Sequence, residues 1–165
     1  ILVVDDGSTD KTVKILENLN EKCKLNIKLR INNHQGVGKA RNTGIEMSKG
    51  KYIYFLDSDD FVDGNLLKNA IILAEKKSYD IVRFNGKAFF DKDFNSSLKN
   101  RFKNSNYAHS NIGKYISENS LEIINELIRA NEFFKSVCLY IFKSELLKKY
   151  SLSFQLEFFP VMNQT

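Results

Sequence analysis

The chain has 165 residues, 42% of them hydrophobic, a size that supports one domain with a real core and excludes two comfortable ones. Its net charge of +5 comes from 25 basic and 20 acidic residues scattered along the sequence, which gives solubility and a weak attraction to phosphates or to an anionic membrane surface, and excludes a nucleic-acid-binding signature. Cys23 and Cys138 form no Cys-x-x-Cys pattern, so a disulfide framework and a zinc site are excluded and a reducing, cytoplasmic compartment is expected, while no apolar run reaches the roughly 18 residues that span a bilayer.

Ile1 to Val4 is a continuous apolar, β-branched run of the kind a strand buried on both faces requires. It opens the chain without a Met, and the expectation is that a strand precedes it in a longer protein. Asp5 and Asp6 close the run, Gly7 to Asp10 supply turn and N-cap chemistry, and Val13, Ile15, Leu16 and Leu19 give a helical stripe to about Glu21. Leu25 to Ile31 alternates and predicts a second strand near a sheet edge.

Asn33 to Gly38 reads as a polar loop, followed by a helix from Lys39 to Ser48 that Gly50 stops. The fragment GVGK fails the phosphate-loop pattern, because the first glycine would fall on Asn33 and the hydroxyl residue on Ala40. Tyr52 to Leu56 predicts a third strand, Asn65 to Lys77 a helix with Leu67, Ala70, Ile71 and Ala74 on one face, and Asp80 to Phe84 a fourth strand. Lys87 to Phe90 is a candidate further strand and Asp91 to Gly113 a long loop. Leu121 to Ile128 marks a helix, Val137 to Phe142 a strand and Ser144 to Tyr150 a short helix. Strands alternating with helices of this length predict an α/β fold with right-handed crossovers and a mostly parallel sheet.

The stretch KYIYFLDSDD, Lys51 to Asp60, ends a short apolar run in three acids. Like charges gathered at a strand end repel unless a cation compensates them, and Mg²⁺ needs only one or two protein carboxylates when it shares its site with substrate phosphates. Asp57-x-Asp59 therefore suggests a metal-diphosphate site. The competing reading is a solvated turn in which Asp59 or Asp60 caps the helix that follows. An EF-hand is excluded, because Val62 stands where that loop needs glycine.

VVDDGSTDKT, followed by NHQGVGKARNTGIEMSKGKYIYFLDSDD, resembles the nucleotide-sugar half of a family 2 glycosyltransferase with the GT-A fold over about residues 1 to 84. SVCLYIFKSELLKKYSLSF, Ser136 to Phe154, is similar to a segment of the bacterial capsule and cell-wall members. The resemblance implies a Rossmann-like, mostly parallel sheet with flanking helices, whose first strand would lie between Ile1–Val4 and Tyr52–Leu56. It implies a nucleotide-sugar-binding half, 1–90, and an acceptor-side region, 91–165. It also implies a metal-dependent enzyme moving a sugar from a UDP-sugar to a saccharide or lipid-linked acceptor, with inversion and with room for peripheral membrane association. Asp5 takes the position that contacts uracil or ribose, beside Asp6 and Ser8. Arg41 and Asn42, with Lys39, take positions near the diphosphate. Asp57 and Asp59 take the positions that hold Mg²⁺ or Mn²⁺, and Asp60 one that orients a ligand or binds sugar hydroxyls. The general base, which the family carries further downstream, is assigned to no residue. A nucleotidyltransferase and a non-catalytic nucleotide- or glycan-binding module or inactive fragment remain as alternatives.

Overall fold

The computed structural model describes residues 1–24, 26–87, 106–107 and 136–154. In chain order these give β1 (Leu2–Asp5), α1 (Thr12–Cys23), β2 (Lys28–Ile31), α2 (Val37–Met47), β3 (Tyr52–Tyr54), α3 (Gly64–Lys77), β4 (Ile81–Arg83), β5 (Gly86–Lys87), β6 (Asn106–Tyr107), a 3-10 turn (Val137–Leu139), β7 (Tyr140–Lys143) and α4 (Ser144–Lys149).

The expected alternation of strand and helix is present, and β1 pairs with β2 in parallel, Val3 opposite Leu29. β2 is largely exposed, as its alternating sequence implies for an edge. The second sheet departs from the simple parallel expectation: its order is β3-β7-β4, and β7 runs antiparallel to both neighbours, with Ile141 opposite Tyr54 on one side and Val82 on the other. A strand that returns from the far end of the chain thus separates two strands that are consecutive but for one helix. Among the described residues no ladder joins β1 to β3.

Several boundaries shift for local reasons. Val137 to Leu139 does not extend the strand, because it forms a 3-10 turn in which Leu139 N–H reaches Ser136 O at 3.3 Å. The turn buries the adjacent Cys138 and Leu139 together, which an alternating strand could not do. Asn106–Tyr107, read as loop, pairs with Gly86–Lys87. The predicted helix at 121–128 and strand residues 88–90 lie outside the described residues.

α1 and α3 start where side chains take orphan N–H groups. Asp10 accepts from Thr12 N at 2.9 Å at the start of α1, and Asp63 accepts from Asn65 N at 2.8 Å at the start of α3. Because Asp63 is the cap of α3, the reading of Asp59 or Asp60 as that cap is corrected. At the other end of α2, Lys148 Nζ donates to Ser48 O at 2.7 Å, a cation on the negative pole of the helix. α3 rests on β4 and β7 through Ala70 and Ala74, both buried, with Val82 and Ile141. Ile71, expected on that face, is 39% exposed. Small residues on the inner face let the helix lie close to the sheet and turn Ile71 outward. A second cluster of Ile45, Ile53 and Leu147, ringed by Phe55, Phe142 and Phe154, joins α2, β3 and α4.

Ile141 is 1% exposed at the centre of the three-stranded sheet. Ile141→Ala is expected to cost about 2–5 kcal/mol, from lost apolar transfer plus the cavity left under α3, measured by urea unfolding.

Candidate functional site

The site is built from two loops and the helix between them. β1 delivers Asp5 to its end, and the chain turns back on it at once: Gly7 and Ser8 donate their N–H groups to Asp5 Oδ2 at 3.2 and 2.9 Å. Asp5 is 6% exposed, and the Ser8 hydroxyl and N–H bonds hold its carboxyl below the usual carboxylate value, against the opposing effect of burial. Asp5 O accepts from Asn32 N at 2.8 Å, so the end of β1 is tied to the end of β2. Gly7 sits at φ +89°, with a Cβ there only 3.3 Å from His34 N; the turn needs a residue without a side chain.

Asp6 works in the other direction. Its Oδ1 and Oδ2 accept from the N–H groups of Gln35 and Gly36 at 2.9 and 2.7 Å, and its carbonyl accepts from His34 Nδ1 at 3.1 Å. Gly36, at φ +89°, is the residue from which α2 departs. A carboxylate contributed from thirty residues upstream thus holds the two residues that lead into α2, at the end where negative charge is favoured. Lys39, half-buried, lies in the first turn of this helix.

Arg41 and Asn42, further along α2, face different partners. Arg41 Nη2 donates to both carboxylate oxygens of Asp57, at 2.8 and 2.9 Å, in the loop beyond β3. Its Nε is buried and takes no hydrogen-bond partner among the described residues. Asn42 turns instead to the backbone of Phe154, donating to its O at 3.0 Å and accepting from its N at 2.7 Å. Both ends of the amide are engaged there, and Asn42 thereby ties α2 to the segment that leaves α4.

Around Asp57 the chain makes a turn, with Asp60 N–H on Asp57 O at 3.0 Å. Ligand atoms of Asp57, Asp60 and Cys138 lie within 4.8 Å of one another. Asp59, expected beside Asp57, is exposed on the turn and is not a member of that group. Burial above all, and beyond it the Asp57 and Asp60 carboxylates, push the Cys138 thiol up to about 11, so at neutral pH it stays protonated and can donate to them. Burial likewise pushes the Tyr54 hydroxyl up to about 12, with Cys138, Asp60 and Asp57 adding to it. Cys138 is a free, buried thiol, and the sequence pattern gave it no part in the site.

The pair Asp57 and Asp60 offers hard carboxylate oxygens on a partly open loop, which suits Mg²⁺ or Mn²⁺ sharing its shell with phosphate and water; the thiol adds a softer donor that Mg²⁺ does not favour. Arg41 already neutralises one of the two carboxylates, so the site is an acidic pair with a cation on one flank, and that arrangement can hold a doubly charged anion together with a metal.

Residues 1–151 match the family model described as Glycosyl transferase family 2. Over 82 residues, half of this chain, the sequence is 34% identical to the poly(ribitol-phosphate) beta-N-acetylglucosaminyltransferase TarS of Staphylococcus aureus. Over 72 residues it is 43% identical to an uncharacterized glycosyltransferase of Haemophilus influenzae. The matched segments cover 14% and 28% of those relatives. Among solved structures, that of S. aureus TarS in complex with UDP-GlcNAc matches 93% of this chain and 39% of that one, with a TM-score of 0.67 and 26% identity.

The Asp5 contacts carry a pH signature. A carboxyl held below its unfolded value, about 3.9, adds stability that is present above that value and is lost as pH falls through the lowered folded value. Asp5→Asn is expected to cost about 1.5 kcal/mol at neutral pH, from weakened bonds to Gly7 and Ser8. The difference from the unaltered protein should close as the solution is acidified, followed by denaturant melts from pH 7 to pH 2.

Proposed function

The chain belongs to glycosyl transferase family 2, and on that premise we propose that residues 1–90 bind the nucleotide-diphosphate part of a sugar donor, with a UDP-sugar as the favoured class. The observation that carries this reading is the convergence of Asp57, Asp60 and the Arg41 guanidinium beyond β3, in a chain whose fold matches a structure solved with UDP-GlcNAc.

Each residue has a physical task. Asp5 is a buried, ionised acceptor at the end of β1, suited to a base N–H or a ribose hydroxyl, and Ser8 keeps it ionised. Asp6 fixes the loop through which α2 begins. Arg41 supplies a planar donor set for phosphate oxygens, and its open, buried Nε is a donor that is costly to leave unmade. Lys39, two residues before Arg41 on the same helix, adds a second cation. Asp57 and Asp60 would hold Mg²⁺ or Mn²⁺, with Asp59 on the intervening turn as the alternative carboxylate. Such a metal, when bound, neutralises charge that develops on the departing diphosphate.

The reaction is transfer of the sugar to a hydroxyl of a saccharide or lipid-linked saccharide, as in capsule and cell-wall polysaccharide assembly, with inversion at the anomeric carbon. The region from 91 onward is the acceptor side. The chain's own contribution is to hold the donor still, since fixing the reacting groups removes much of the entropic part of the barrier. Among the described residues no helix is long and apolar enough to cross a membrane, and any membrane contact is proposed to be peripheral, through the basic surface.

Calorimetric titration of UDP into the intact protein is the test. Binding is expected with Mn²⁺ and not with EDTA. Asp60→Asn should weaken it at least tenfold, whereas Asp59→Asn should change it by less than threefold; the reverse order would move the metal to the Asp57-Asp59 pair, and equal UDP binding with and without Mn²⁺ would reject the metal. Transfer of sugar from UDP-GlcNAc, followed as UDP release, separates an enzyme from a binding module.

A further inference from the structure

Arg41 reaches Asp57 along a side chain with four rotatable bonds, and a guanidinium on such a stem holds a fixed position only if something other than the ion pair fixes it. In this chain the second constraint is an aromatic ring. Arg41 Cζ lies 5.3 Å from the centroid of the Phe154 ring, within cation–π range. The same ring meets Phe55 edge-on, with centroids 5.3 Å apart and planes at 80°, and packs on the Ile45, Ile53 and Leu147 cluster. The ring therefore has a hard floor.

The backbone of Phe154 is held as firmly as its ring. Asn42 grips both its N and its O, as a neighbouring strand would, and two residues earlier Leu152 N–H closes on Leu147 O at 2.8 Å, so the segment leaving α4 is folded back before it reaches α2. Asn42 and Arg41 are adjacent on one helix, so the residue that pins Phe154 and the residue that Phe154 supports cannot move apart. Phe154 lies beyond the residues that the family model matches.

We propose that Asn42 and Phe154 are positioning residues for the donor site: Asn42 fixes Phe154, the Phe154 ring fixes the Arg41 guanidinium, and the guanidinium fixes the Asp57 carboxylate in the orientation that a metal-bound diphosphate requires. The link to the diphosphate rests on the reading of the site given above. Neither residue touches the reacting atoms. Their removal leaves Arg41 and Asp57 present and paired only part of the time.

Two measurements on the intact protein test this. The first uses no donor: the guanidinium N–H signals of Arg41 are followed by ¹⁵N nuclear magnetic resonance. Resolved, slowly exchanging Nη signals are expected in the unaltered protein and in Phe154→Tyr, which keeps the ring, and averaged signals in Phe154→Leu and Asn42→Ala. The second is Mn²⁺-dependent UDP affinity. Phe154→Leu is expected to lower it about tenfold, and Phe154→Tyr to restore it to within twofold. In an Arg41→Met background the Phe154→Leu change should add less than twofold, because the ring then has nothing to hold. Arg41 signals unaltered by Phe154→Leu, or a UDP loss of equal size with and without Arg41, would overturn the proposal. Absence of Mn²⁺-dependent UDP binding in the unaltered protein overturns the donor reading and the functional link, while the guanidinium signals still decide whether the ring holds Arg41. Cooperative urea melts of each variant guard against unfolding as the cause.

Discussion

The carboxylate of Asp6 takes the N–H groups of Gln35 and Gly36, and the placement of α2 follows from that contact. Backbone donors at a helix start must find acceptors, and here the acceptor comes from a different strand-loop unit. The helix is thereby fastened to the end of β1, and its next turn carries Arg41 to the loop beyond β3. α2 thus links the two acidic loops, through Asp6 at its start and through the Arg41–Asp57 pair. Gly44 packing on Val4, the two-sided grip on Phe154 and the Lys148 contact at the far end complete its fixation.

This arrangement explains why charges can be gathered so densely. Asp5 is compensated by backbone donors, Asp6 by a helix start and Asp57 by a guanidinium. Each acid is met by a different kind of donor. Asp60 is the least compensated, resting beside the protonated Cys138 thiol and the Asp57 carboxylate. An acid in that setting gains most from an arriving cation. The Arg41–Asp57 pair, with Asp57 40% exposed on its side chain, is a modest contributor to stability; its importance is in orientation.

Much of the fold was legible because its signals were local. The apolar run before Asp5 and the helical stripe after Asp10 each produced the element expected of them. The placement of β7 was not legible, since nothing in Tyr140 to Lys143 distinguishes a strand that inserts between two others from one that joins an edge. At the site, residue types were legible and partners were not. Arg41 and Asn42 read alike as donor contacts, yet a rotation of one residue along α2 sends one to Asp57 and the other to Phe154. Cys138 was invisible because its role depends on a 3-10 turn that buries two neighbours at once. The sequence pattern gave the metal to Asp57 and Asp59 and sugar hydroxyls to Asp60, whereas the turn after Asp57 brings the Asp60 oxygens, and not those of Asp59, close to Asp57 and Cys138.

The insertion of β7 between β3 and β4 has a temporal consequence. Tyr54 finds Ile141, and Val82 finds the same residue from the other side, so the two early strands have no ladder with each other and must wait for a partner made much later. On a ribosome, β1, α1, β2 and α2 can assemble as they emerge, whereas β3 and α3 stay without a completed sheet until Lys143 has left the exit tunnel. Contacts so distant in sequence are slow to form and leave apolar strands uncovered meanwhile.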